Sequence, residues 1–132
     1  MKKFLHNQDL GLLIFRLFVG LTMALSHGLG KMPPPEPLIA GVEAMGFPMA
    51  IAFAWAAGLS EFVGALLLAA GLFTRWAAAF IGFTMGVAAF VAHGADPFAK
   101  KEMALLYFTA CIMFIFVGAG KYSLDSIVRK KS

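Results

Sequence analysis

The chain has 132 residues, 61% of them hydrophobic and 14% charged, with a formal net charge of +4. That length supports one domain, and that composition lies well outside the usage of a water-soluble one. Clustered Lys and Arg are the footprint of nucleic-acid binding, but here they sit at the ends of apolar blocks, where positive-inside bias and lipid headgroups account for them, so no nucleic-acid partner is expected.

The apolar residues fall into four long blocks. A helix needs roughly 20 residues to cross a hydrocarbon core of ~30 Å, and a soluble core would account for one such block, not four. The predicted fold class is all-α: an integral membrane bundle of four transmembrane helices, up-down-up-down, forming a single domain over 1–132 in the lipid bilayer.

The first span is predicted over 10–29. Lys2 and Lys3 precede it and Ala24-Leu25-Ser26 is a tolerable cleavage site, so a signal peptide is the rival reading. Arg16 favours a retained helix, because a mid-span charge weakens a signal sequence yet can face partner helices. Met32-Pro33-Pro34-Pro35-Glu36-Pro37 ends the helix, since proline cannot continue the hydrogen-bond ladder. Residues 38–47 read as a short loop or interfacial segment, and Pro48 suits the first turn of a second helix over 49–72. Phe73-Thr74-Arg75-Trp76 is a tight polar break with Trp76 at the headgroup level, which makes helices two and three antiparallel neighbours. A third helix over 76–93 stops at Gly94-Ala95-Asp96-Pro97, and a fourth over 101–117 stops before Gly118 and Gly120. Cys111, the one cysteine, excludes an intrachain disulfide and a CxxC redox pair and reads as a small buried hydrophobe.

Basic residues beside the spans set the orientation. Lys2, Lys3, Arg75, Lys121, Arg129, Lys130 and Lys131 collect on one side, against Lys31, Lys100 and Lys101 on the other, which places both termini in the cytoplasm. The short loops leave any chemistry to the bundle or its mouths.

Arg16 and Glu61 are charges at membrane depth. Counted from the expected helix ends they differ in depth by roughly 4 to 5 Å, so an Arg16–Glu61 pair between adjacent helices is the expected arrangement, either as a latch fixing helix register or as a proton or ligand site. On helix one Arg16, Gly20, Met23, His27 and Lys31 share a face. His27 and Lys31 either snorkel to the outer interface or extend the Arg16 site. Gly82 and Gly86 form a GxxxG spacing with Ala89 and His93 on the same face, a contact surface for another helix or another copy. On helix two Ala54, Ala57, Gly58, Gly64 and Ala65 place Glu61 on a contact face, and on helix four Glu102, Thr109, Met113 and Gly120 line up similarly.

The outer mouth of this topology gathers His27, Lys31, His93, Asp96, Lys100 and Glu102. None has an HxxxH or HExxH spacing, so no metal site is expected. There is no Gly-rich phosphate loop, no CxxCH haem motif, hence no covalently bound cofactor, and no nucleophile with an evident base, which leaves the catalytic residues unknown. An anion, a proton or a quinone headgroup suits the mixed charge.

The chain also resembles the DoxX-like membrane proteins. The matching pieces are Arg16, Gly20 and His27-Gly28-x-x-Lys31 on helix one, Glu61, Gly64 and Gly71-Leu72-Phe73-Thr74-Arg75 on helix two, Glu102 opening helix four, and the closing Gly118-Ala119-Gly120-Lys121-Tyr122-Ser123-Leu124-Asp125. The resemblance implies a four-helix protein of the bacterial cytoplasmic (inner) membrane. It also implies association with sulfur, thiol or oxidative-stress redox systems through partner enzymes, with a thiosulfate:quinone oxidoreductase as the namesake. Ala119 departs from the frequent Gly-Pro-Gly, and the first loop is unusually rich in proline. The leading expectation is an accessory membrane subunit of a redox system, whose Arg16, His27, Lys31, Glu61, His93 and Glu102 are the ligand-binding or proton-relay candidates for a quinone-like lipophile. Any enzymatic role would be as the membrane subunit of a quinone-linked oxidoreductase. The rivals are a carrier for protons, anions or small solutes, built as a homo-oligomer, and a scaffold for membrane assembly.

Overall fold

The computed structural model describes residues 7–132. Lys2 and Lys3, which enter the orientation count and the signal-peptide reading, lie outside the described residues. Those described form six helical segments and no strand: α1 Gln8–Lys31, α2 Glu36–Ala44, α3 Ala50–Ala70, α4 Thr74–Ala92, α5 Phe98–Val117 and α6 Leu124–Lys131. Three of them, α1, α3 and α4, with 24, 21 and 19 residues, are long and apolar enough to cross a membrane. α5 has 20 residues but carries Lys100, Lys101 and Glu102 near its start.

Local chemistry sets the boundaries. Asn7 caps α1 by accepting from the Leu10 N–H at 3.1 Å, which satisfies one of the orphan donors of the first turn. Within 38–47, read as loop or interface, α2 forms with proline in its first turn, where the missing N–H costs nothing. The break between helices two and three lies two residues earlier than expected, over 71–73, because α3 ends at Ala70 and Thr74 and Arg75 already belong to α4. The last residues form a helix that the apolar blocks do not announce, α6, whose first turn is capped by the Ser123 hydroxyl accepting from the Ser126 N–H at 3.3 Å.

α1 packs antiparallel on α3 through small residues. A Cβ on Gly20 would lie 2.6 Å from the Ala65 carbonyl oxygen, one on Gly58 would lie 2.5 Å from the Lys31 carbonyl oxygen, and one on Gly28 would collide with the Glu61 backbone. Backbones this close define one register and tolerate no sliding. α4 packs on α5, where Gly82 faces the Cys111 Cβ and Gly86 faces the Phe108 ring. The GxxxG face is thus used inside the chain, and a second copy cannot approach through it. Val19, Met23, Ala24, Leu68, Ile81, Cys111 and Phe114 form the buried centre, and Phe15 stacks on Phe114 at 5.6 Å to join α1 to α5. The inward face of α5 is Ala110, Cys111 and Phe114, not the Glu102, Thr109 and Met113 line: Glu102 and Thr109 are exposed.

The expected Arg16–Glu61 pair does not form. Arg16, 1% exposed, donates through Nε to the Ala69 carbonyl at 3.2 Å, through one terminal nitrogen to the Ala119 carbonyl, and through the other to the Tyr122 carbonyl at 2.7 Å. Ala69 lies in the last turn of α3 and Ala119 just beyond α5, so the cation sits at the negative ends of two helix dipoles among carbonyls with no helical partner. The depth count fails because the helix ends are not level. The first turns of α1 extend past α3 and pack on the closing segment instead, with Leu12 and Asp9 against Gly120 and Asp9 accepting from the Lys121 N–H at 2.8 Å. In this register Glu61 is level with Gly28, and the twelve residues back to Arg16 cover ~18 Å of helix.

The closing segment clasps the α3–α4 turn. Asp125 accepts from the Phe73 N–H at 2.8 Å and the Thr74 N–H at 3.0 Å, and its own N–H donates to the Gly71 carbonyl at 2.8 Å. A carboxylate from α6 therefore caps the N-terminus of α4. It holds Phe73 at φ 49, a left-handed conformation that a bulky residue keeps only when its surroundings impose it. Gly71, at φ +72, has no room for a side chain, since a Cβ there would lie 2.6 Å from the Ser123 Cβ and 2.9 Å from Arg16 Cζ. Burial pushes the Asp125 carboxyl up, but the Thr74 and Phe73 N–H groups and the Arg129 charge outweigh it and hold the pKa below the ordinary value.

Two outcomes are expected. Arg16→Leu strands three carbonyls, those of Ala69 and Ala119 buried, and should lower unfolding stability in mild detergent by about 3 kcal/mol or more, while Arg16→Lys recovers only part, because one ammonium cannot span the three positions. A depressed carboxyl contributes stability above the ordinary carboxylate range and loses it as pH falls through the depressed value. Hydrogen exchange at the Phe73 and Thr74 amides, corrected for intrinsic rates, should therefore stay slow from pH 7 down to the ordinary carboxylate range and quicken below it, whereas Asp125→Asn should quicken it throughout.

Candidate functional site

At the opposite end of α1 from Arg16 the helices loosen. π-helical turns interrupt α1 at Met23–Gly28, α3 at Ser60–Gly64 and α4 at Ala88–Ala92. Such turns displace side chains from the α-helical rows and frequently mark functional sites. The one in α3 carries Glu61.

Glu61 is 1% exposed and pairs with Lys31, whose Nζ lies 2.7 Å from Oε1 and 2.6 Å from Oε2; Lys31 keeps 29% of its side chain exposed. Both residues were expected as site candidates, but with Arg16 as the partner of the carboxylate. Gly28 and Gly58 decide otherwise: by letting the α1 and α3 backbones touch, they bring the last residue of α1 over Glu61. The Ser60 and Thr84 hydroxyls lie 2.8 Å apart beside the pair, and each is also within reach of a carbonyl of its own helix, Ala57 and Phe80 respectively. A serine next to Glu61 and the lone polar residue of 76–92 are the only marks these two leave in the sequence.

These groups form one wall of a cavity of about 430 Å³. Apart from His93 the remaining wall is apolar, with Leu38 and Val42 from α2, Met45 just after it, Phe53 from α3, and Phe80 and Phe83 from α4. α2 covers the cavity with Val42 buried, while Phe80 and Phe83 are 62% and 65% exposed on the helix surface. A largely apolar slot with a few convergent polar groups is the usual form of a small-molecule site.

The other candidates divide. His93 lines the cavity and its Nδ1 lies 2.7 Å from Asp96 Oδ2. That hydrogen bond holds the Asp96 carboxyl below its ordinary range against the opposing effect of burial, with Lys100 and Lys101 adding smaller contributions in the same direction as the hydrogen bond. His27 lies outside the cavity lining, edge-on to the Tyr107 ring at 5.6 Å. Glu102 is exposed on α5, and Arg16 is ~18 Å of helix away. The mouth thus resolves into a Lys31–Glu61 pair and a His93–Asp96 pair at one cavity.

The sequence pattern defining the DoxX family matches residues 11–94, which include Arg16, His27, Lys31, Glu61 and His93 and end before α5. The chain belongs to the DoxX family. A Haemophilus influenzae protein described as uncharacterized is similar to it, 38% identical over 127 residues, covering 90% of this chain and 92% of that one. No solved structure matches. Family membership and the three apolar helices make this a membrane protein.

In this DoxX-family protein the energetic coupling of Glu61 should lie with Lys31. Lys31→Met leaves a buried carboxylate without a cation and should cost about 3 kcal/mol in detergent unfolding. Adding Glu61→Gln should cost less than the sum by more than ~1 kcal/mol, whereas Arg16→Leu with Glu61→Gln should be additive within ~0.5 kcal/mol.

Proposed function

We propose that the cavity between α2, α3 and α4 binds a small neutral lipophile with a polar head, a quinone or similar molecule, in an accessory subunit of a bacterial membrane redox system. The observation that carries this reading is the Lys31–Glu61 pair set in the wall of a largely apolar cavity of about 430 Å³. The pair neutralises itself, so a charged head would be desolvated there without a counter-charge, whereas a carbonyl or hydroxyl can use the remaining Lys31 N–H and the Ser60 and Thr84 hydroxyls. The hydrophobic body would lie among Val42, Met45, Phe53 and Phe83.

In this reading α5 is a fourth span, with Lys100, Lys101 and Glu102 at the headgroups. The chain then forms an up-down-up-down bundle in the inner membrane with both termini cytoplasmic. The cavity opens toward the outer leaflet, and a sulfur, thiol or oxidative-stress enzyme is the partner the ligand would serve. A carrier is the weaker reading. Between the Arg16 cage and the Lys31–Glu61 pair lie the apolar side chains of Val19, Met23, Leu68, Ile81 and Phe114, with no chain of ionisable groups joining the two sites among the described residues.

Trp55 stands on α3 next to the cavity residue Ala56. Titrating a short-chain ubiquinone into nanodiscs should quench its fluorescence saturably in a Trp76→Phe background. Ala57→Phe, which fills the cavity from within, should weaken binding at least ~tenfold. Quenching that rises linearly with quinone, or is indifferent to Ala57→Phe, would sink the proposal.

A further inference from the structure

The clasp fixes Asp125, and with it the direction in which the rest of α6 points. At 100° per residue Leu124, Ile127 and Val128 share one arc, with Arg129 and Lys130 flanking it on opposite sides. Lys131 falls within that arc at the last residue of the helix, where its stem can lie along the apolar face and its ammonium reach the headgroups. Leu124, Ile127 and Val128 are 43%, 50% and 55% exposed, so the apolar arc has no partner among the described residues. Its neighbours are also uncovered hydrophobes: Phe116 and Val117 at the end of α5, Phe73 and Trp76 at the start of α4, and Tyr122. With α5 as the fourth span of the proposed function, on which this step rests, Phe116 and Val117 close a helix whose outer surface faces hydrocarbon, and the α6 arc continues that surface where the spans end. Around it stand five cations: Arg75, Lys121, Arg129, Lys130 and Lys131. The nearby carboxylates of Asp9 and Asp125 are already accepting from backbone N–H groups.

We propose that α6 lies in the plane of the membrane surface as a binding site for acidic phospholipid, with Leu124, Ile127 and Val128 in the acyl boundary and Arg129, Lys130 and Lys131 on lipid phosphates. Such a helix combines buried apolar area with attraction to anionic headgroups. Eight residues are too few to hold the surface alone. The Asp125 clasp supplies what length does not, by anchoring the first turn to the α3–α4 turn. The site is independent of the cavity and of any ligand there.

The test uses the full-length protein in nanodiscs of phosphatidylcholine alone and of phosphatidylcholine with 30% phosphatidylglycerol. A spin label at Val128→Cys, in a Cys111→Ala background, should be accessible to oxygen and shielded from a water-soluble nickel relaxant. Native mass spectrometry should show phosphatidylglycerol retained over phosphatidylcholine. Replacing Arg129, Lys130 and Lys131 with Gln should cut that preference on the order of tenfold, while Lys100→Gln with Lys101→Gln, at the other end of the chain's fold, should leave it unchanged. A Val128 label exposed to the nickel relaxant in both lipids, or a lipid preference indifferent to the triple change, would overturn the proposal. So would a dimer mass that disappears on Ile127→Glu, because the arc would then be covered by a second copy.

Discussion

A guanidinium buried in an apolar bundle must find acceptors, and the chain brings three carbonyls to Arg16 from two helix ends and the closing segment. Much of the architecture follows from meeting that demand. Gly71 must lack a side chain because Arg16 occupies the space, α3 must end where its last carbonyls are level with Arg16, and the segment after α5 must turn back across the bundle so that Ala119 and Tyr122 can accept. Once that segment is in place, Asp125 reaches the start of α4 and closes the same end of the protein from outside. The short sequence pieces carrying the family resemblance, around Arg16, 71–75 and 118–125, meet in this one knot.

The second polar site obeys a different rule. Arg16 is enclosed by backbone carbonyls from three parts of the chain, which suits a structural tie. The Lys31–Glu61 pair is made of two side chains, one of them partly exposed, beside a cavity and a π-helical turn. Between the two sites lies a packed apolar centre. One end of the protein is thereby rigid and backbone-satisfied, and the other keeps space and side-chain polarity. Rigid support beneath a loosened binding end is a workable division for a site that must admit a lipophile.

Helix existence was readable from apolar block length, and the inward faces of α1 and α3 from their spacing of small and charged residues, because both depend on local periodicity. Four helices were predicted; α1, α3 and α4 are the ones long and apolar enough to span. The two short amphipathic helices escaped that reading. α2 is short and proline-led, and α6 is too polar to register as an apolar block, so neither carries the length signal on which the spans were recognised.

The sequence by itself determined that Arg16 and Glu61 need partners, since the cost of burying a charge depends only on the residue and its surroundings being apolar. It also determined a largely apolar helical chain, and the glycines that bring helices together. Only the tertiary structure decided who those partners are. Partnering depends on the axial register of α1 on α3, which Gly20, Gly28 and Gly58 set at backbone distance, and two residues of displacement along a helix already shift a side chain by ~3 Å and turn it to another face. The cavity likewise has no mark of its own in the chain, because its walls come from four helices and two of the wider turns, at 60–64 and 88–92, border it.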